Sequence, residues 1–161
     1  MSCISLIPTN TSGKLYLGSV SGLHELDKLN IKFVISLFPP VNVVVPEHII
    51  RFEYSISDTP QYKDRMNTIL DETSEMIHYQ LTSGNNVFVH CFAGVSRSAT
   101  VVLDYLLSHQ LSQIKDELQV ELLDYKLVIE YIRKYREVVE PNNGFAFLLA
   151  EKYNLKIDIK I

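Results

Sequence analysis

The chain has 161 residues, which fits a single domain over residues 1–161. Its 47% hydrophobic and 21% charged residues are ordinary for a globular protein with its own core. The net charge of −4 gives no support for an extended nucleic-acid surface, and no apolar run approaches the ~20 residues of a membrane helix. Met1 to Pro8 has neither the basic start nor the long apolar core of a signal peptide. The two cysteines, Cys3 and Cys91, exclude a disulfide framework and suit a reducing compartment. A cytoplasmic location, with the nucleus also open, is therefore the expectation. Cys3 reads as an inert residue near a loose terminus.

In chain order, Asn10 to Gly13 is a turn and Lys14 to Gly18 a short strand. Leu23, Leu26 and Leu29 recur every third position, which predicts a short amphipathic helix. Ile31 to Phe38 is almost continuously apolar and is stopped by Pro39-Pro40, the pattern of a buried central strand. Ile50, Phe52, Tyr54 and Ile56 alternate with Arg51, Glu53 and Ser55, which predicts a strand whose charged face is the wetter one. Ser57 to Tyr62 is a loop. Met66, Ile69, Leu70, Thr73, Met76, Ile77 and Leu81 then follow at helical spacing, with Gly84 as a C-terminal stop. Asn86 to Val89 is a short strand, and about Arg97 to Ser108 a helix that is apolar on most sides. Residues from about Ser112 to Val138 read as two helices or one broken helix. Pro141 to Gly144 is a turn, and Phe145 to Tyr153 a last helix. Strands alternating with helices predict an α/β fold: a mostly parallel, mixed sheet of four to five strands with helices on both faces.

Between the strand at Asn86 and the next helix stands Val89-His90-Cys91-Phe92-Ala93-Gly94-Val95-Ser96-Arg97-Ser98. A tight loop opening a helix aims backbone N–H groups at one point, and the helix dipole adds positive potential there, so the point suits an anion. A cysteine at the start of such a loop feels the same field, which favours the thiolate, a nucleophile held inside a phosphate cradle. Arg97 offers a planar fork that can bond two phosphoryl oxygens at once. The backbone of Phe92, Ala93, Gly94, Val95, Ser96 and Arg97 would supply the other donors, worth most where transition-state charge spreads over equatorial oxygens. The competing readings are a buried structural cysteine and a surface ion pair of the arginine.

This segment resembles the signature of cysteine-dependent protein phosphatases, and its Ala93-to-Ser98 half looks most like the dual-specificity branch. The resemblance extends to Leu15-Tyr16-Leu17-Gly18-Ser19, to Asn30–Ile35, to Tyr105-Leu106-Leu107 and to Pro141-Asn142-x-Gly144-Phe145, covering about residues 14 to 153. It departs at Leu148, where the family has glutamine, and over His109 to Leu123, which is longer than usual. Nothing resembles the kinase-docking domain that some members carry, so the chain looks like a stand-alone, atypical member.

The resemblance implies hydrolysis of phosphate monoesters on phosphotyrosine and on phosphoserine or phosphothreonine of proteins, through a phosphocysteine on Cys91, without metal or other cofactor. Asp58, on a loop after a strand, matches the general acid. Asp64 and Asp71 compete for that role, although Asp64 suits a helix cap and Asp71 lies within the helix; Asp-Thr-Pro is also a plain turn sequence. Ser98 matches a hydroxyl that donates to the sulfur, and equally a simple helix-start serine. His90 matches a histidine that orients the loop, and Asn142 belongs to the late shared element. Phosphoinositide-directed relatives place lysines in the loop, whereas Phe92, Ala93 and Val95 are uncharged. Phe92 and Tyr62 are candidates for the rim of the mouth. The alternatives are a phosphatase of RNA 5′ ends or another non-protein ester, and a phosphopeptide-binding pseudophosphatase scaffold; acidity disfavours the first and the presence of Cys91 the second. Physiological substrate and oligomeric state have no signature in the sequence.

Overall fold

The computed structural model describes residues 3–38 and 44–158; Pro39-Pro40, expected to stop a strand, lies outside them. Strands β1 (Ile4–Ile7), β2 (Leu15–Gly18), β3 (Ile31–Leu37), β4 (Ile50–Tyr54) and β5 (Asn86–His90) form one sheet in the order β1-β2-β5-β3-β4. β1 runs antiparallel to β2, and the remaining pairs are parallel. The helices are α1 (Lys63–Thr82), α2 (Arg97–His109), α3 (Leu111–Leu118), α4 (Tyr125–Arg133) and α5 (Asn143–Lys152). The region after α2 is therefore two helices rather than one broken helix, and α3 is anchored by buried Ile114.

Strand alternation divides the core in two. Leu15, Leu17, Val87, Val89, Phe33, Ile35 and Leu37 face the α-helices in the large cluster, while Tyr16, Phe88 and Val34 face a smaller one. Ile31 joins the smaller cluster although it is two residues from Phe33, because an irregularity in the β3–β5 register falls between them. Helices cover both faces unequally. One face carries the α-helices; the other carries a 3₁₀ helix at Val20–Glu25, whose Leu23 packs beside Leu26, Ile49 and Phe88. The leucine triplet at 23, 26 and 29 thus winds as a 3₁₀ helix followed by turns, not as an α-helix.

Three sequence expectations change. β1 was not anticipated, because four residues with two polar-to-intermediate positions carry little period-2 signal. Asp64 is not the cap of α1: Tyr62 holds that position, and Asp64 lies in the first turn, where its charge meets the helix dipole. On β4 the alternation holds at Glu53, Tyr54, Ser55 and Ile56 but reverses at the start of the strand. Ile50 and Phe52 are exposed, while the Arg51 side chain is only 11% exposed, because the guanidinium lies over Ser36 on the thin face of the sheet. Gly84 does follow α1 in a left-handed conformation, φ +89°, and its N–H donates to the Leu81 carbonyl.

Candidate active site

β5 delivers His90 and Cys91 to the C-terminal edge of the sheet, and α2 begins at Arg97. The loop between them is held from outside by its own carbonyls. That of Cys91 accepts from His90 Nδ1 at 3.1 Å, and that of Phe92 from the Val20 N–H at 3.1 Å. The Ala93 carbonyl accepts from Arg136 Nη2 at 3.1 Å and the Gly94 carbonyl from Arg136 Nε at 2.8 Å. Val95 accepts from the Glu140 N–H at 2.8 Å, and Ser96 from the Thr100 hydroxyl at 2.7 Å and its N–H at 2.9 Å. With every carbonyl from Cys91 to Ser96 turned outward to a donor, the N–H groups of the same peptides are left to the concave side. Gly94 shows the result, donating its N–H to Cys91 Sγ at 3.3 Å.

Cys91 is buried, and its sulfur also lies 3.1 Å from Ser98 Oγ, itself fully buried at the start of α2. With the sulfur as thiolate, both neighbours are donors, so the arrangement suits an anion at Sγ. Arg97 donates from Nη1 to the Ile56 carbonyl at 3.0 Å, which ties its fork to the segment leading to Asp58. Its Nε is buried and has no hydrogen-bond partner among the described residues. A donor left in that state beside an anion cradle matches a missing acceptor such as a phosphoryl oxygen.

Asp58 stands exposed between β4 and a 3₁₀ turn at Pro60–Tyr62. Asn142 reaches it and joins three parts of the site: Nδ2 donates to Asp58 Oδ1 at 2.8 Å, the backbone N–H donates to Ser96 Oγ at 2.9 Å, and Oδ1 caps α5 by accepting from the Phe145 N–H at 3.0 Å. Gly144 is needed beside it, since a Cβ there would lie 2.6 Å from Pro60 Cα and carbonyl oxygen. Asp71, the competing acid, lies along α1 at 3.8 Å from Lys152, which also binds the buried Asp104 at 2.8 Å. Asp58 is the candidate acid bonded into the loop's surroundings. Phe92 is 66% exposed and Tyr62 43% exposed, so the aromatic groups near the loop and the acid segment face outward.

His90 is fully buried under the loop, between Phe38 edge-on and Phe88 stacked. Burial, with a smaller contribution from Arg51, pushes its pKa down to about 4, so the ring is neutral near pH 7. Because Nδ1 faces a carbonyl, Nδ1 carries the proton, and Nε2 accepts from the Ser36 hydroxyl at 2.6 Å. Ser36 in turn accepts from Arg51 Nε at 3.0 Å. Sequence reasoning missed Arg136, Thr100, Ser36 and Arg51. Arg136 follows a Lys-Tyr pair in a polar stretch with no motif. Ser36 left a weak mark as the one polar residue in the second half of the β3 apolar run.

The model of the dual specificity phosphatase catalytic domain family matches residues 15–155. Dual specificity protein phosphatase 15 of Mus musculus is 31% identical over 140 residues, 85% of this chain and 54% of the mouse protein. The crystal structure of DUSP15 superposes with a TM-score of 0.69 at 28% identity, covering 91% of this chain and 85% of that one. Human DUSP28 superposes with a TM-score of 0.70 at 23% identity, covering 92% and 91%, a likeness of fold. A mixed five-stranded α/β sheet with a cysteine-centred anion loop defines the class, and the chain belongs to the dual specificity phosphatase family of catalytic domains. It spans about half the length of the mammalian relatives it matches.

Proposed function

We propose that this chain is a single metal-independent catalytic domain that hydrolyses phosphate monoesters on phosphotyrosine and on phosphoserine or phosphothreonine of proteins. The observation that supports it best is the loop in which each carbonyl from Cys91 to Ser96 is bound from outside, leaving its N–H groups around a buried sulfur.

The chemistry follows in two displacements. The Cys91 thiolate attacks phosphorus; the S–P bond forms as the bond to the substrate oxygen breaks, and protonated Asp58 gives that oxygen its proton. The Asp58 carboxylate then takes a proton from water, whose oxygen attacks phosphorus as the S–P bond breaks. The Ser98 hydroxyl donates to the departing sulfur, and inorganic phosphate leaves. Arg97 and the loop N–H groups hold the equatorial oxygens in both steps, and Asn142 holds Asp58 in place. His90 supports the loop from beneath. A signalling role in the cytoplasm or nucleus fits two cysteines and the absence, among the described residues, of a helix able to span a membrane.

Phosphate release from matched phosphotyrosine, phosphothreonine and RNA 5′-triphosphate substrates, with Cys91→Ser as control, tests this. Turnover of both peptides, lost in the variant and insensitive to EDTA, is expected. Turnover of RNA alone, or binding without turnover, would replace the reading by one of its two alternatives.

A further inference from the structure

Beneath the loop, on the thin face of the sheet, three strands contribute one side chain each to a single chain of hydrogen bonds. Arg51 comes from β4, Ser36 from β3 and His90 from the end of β5, with Ser36 directly opposite His90 in the parallel register. The links measure 3.0 Å from Arg51 Nε to Ser36 Oγ, 2.6 Å between Ser36 Oγ and His90 Nε2, and 3.1 Å from His90 Nδ1 to the Cys91 carbonyl.

The direction of this chain is determined by its end. Arginine only donates. Its Nε–H therefore makes the Ser36 oxygen an acceptor, and the single hydroxyl proton of Ser36 goes to His90 Nε2. A neutral imidazole that accepts at Nε2 carries its proton on Nδ1, where it meets the Cys91 carbonyl. Every link thus polarises the next in the same sense, ending on the peptide whose N–H is that of Phe92, the first in the cradle. The opposite tautomer would set the Nδ1 lone pair against the carbonyl lone pairs and push the loop away. The groups acting on the ring are Ser36 from β3, Arg51 from β4, Phe38, Phe88 and the Cys91 carbonyl. Glu53 Oε1 lies 3.3 Å from the same Arg51 Nε, which is closer to Ser36 Oγ at 3.0 Å.

We propose that Arg51 and Ser36 are positioning residues that fix His90 as its Nδ1–H tautomer and so aim the first N–H of the cradle at the phosphoryl group. The kinetic half of this proposal rests on the phosphatase reading above; the tautomer half does not. It also accounts for the reversed start of β4, where an arginine is drawn under the sheet while Ile50 and Phe52 are exposed.

The test combines ¹⁵N NMR of the histidine ring nitrogens with steady-state kinetics on an aryl phosphate. The proteins are the wild type, Ser36→Ala, Ser36→Thr, Arg51→Met and Glu53→Gln. His90 of the wild type is expected to be a single Nδ1–H species. Ser36→Ala and Arg51→Met should mix in the Nε2–H form and lower kcat about tenfold, the worth of one ordinary hydrogen bond, while KM changes far less. Ser36→Thr, which keeps the hydroxyl, should restore both, and Glu53→Gln should alter neither. A tautomer unchanged in Ser36→Ala and Arg51→Met would overturn the proposal, as would a tautomer lost with kcat intact. If Ser36→Ala does not fold, Arg51→Met reads the same chain. Absence of turnover in the wild type would count against the phosphatase reading alone, and the NMR arm would still decide the tautomer.

Discussion

Gly94 shows how closely the loop is built. Its φ of +69° lies where side chains are disfavoured, and an added Cβ would come 2.5 Å from Gly18 C and 2.6 Å from Arg136 Nη2. The backbone conformation alone costs a non-glycine residue about 1–2 kcal/mol, and the clash is with backbone that cannot swing aside. Gly94→Ala should therefore lose most activity against an aryl phosphate and denature at lower urea; a fully active, equally stable variant would show that the loop can reform around a methyl group. Asp58 offers a second residue-scale test. Asp58→Ala should slow phosphopeptides with poor leaving groups by about a hundredfold or more, within the usual range for lost general acid catalysis, while aryl phosphates with good leaving groups suffer much less. Asn142→Ala should show the same selectivity in weaker form, since it frees the carboxylate without removing it. Equal losses on both substrate types would remove Asp58 from the acid role.

At the scale of elements, the segment between α4 and α5 is what closes the site. Arg136 follows α4, is 4% exposed, and binds the carbonyls of Ala93 and Gly94 together with Ser5 Oγ on β1 at 3.1 Å. The next residues put the Glu140 N–H on Val95 and Asn142 on Ser96 and Asp58. Arg136→Met would leave the buried Gly94 carbonyl and the part-buried Ala93 carbonyl without this donor. A loss of about 3 kcal/mol in urea unfolding is expected from such orphaned groups, with kcat falling as well; stability within 0.5 kcal/mol of wild type, roughly the scatter of surface changes, would mean that the loop does not depend on it. The loop itself was legible in sequence because Cys91, Gly94, Arg97 and Ser98 lie within a few residues and each type has a distinct chemical use. Asp58 and Asn142 could be named from the family pattern. Arg136, Ser36 and Arg51 could not, since each acts across the tertiary structure, and neither spacing nor residue type marks an arginine that will bind loop carbonyls from another element.

Across the whole molecule, the same separation holds between what is local and what topology adds. The helical periods of α1 and the apolar run of β3 announced themselves. The unequal covering of the sheet did not, because it depends on which strand lies next to which. One consequence is that His90 lies fully buried at the thin face, with aromatic rings and an arginine as neighbours and, among the described residues, no carboxylate paired with its ring. Its pKa is about 4 in the fold against about 6.5 in the unfolded chain. Above pH 6.5 neither state is protonated there, and the native protein has its full stability from this group. As pH falls from 6.5 toward 4 the unfolded chain takes up a proton that the native one refuses, so stability declines, by about 3 kcal/mol when the window has been crossed. His90→Asn lacks this titration. Urea midpoints measured from pH 7.5 to 4 should fall more steeply for the wild type than for the variant, the difference opening below about pH 6.5. Parallel lines over that range would mean that the histidine gains its proton within the folded protein, and that the thin face of the sheet admits water to the underside of the loop.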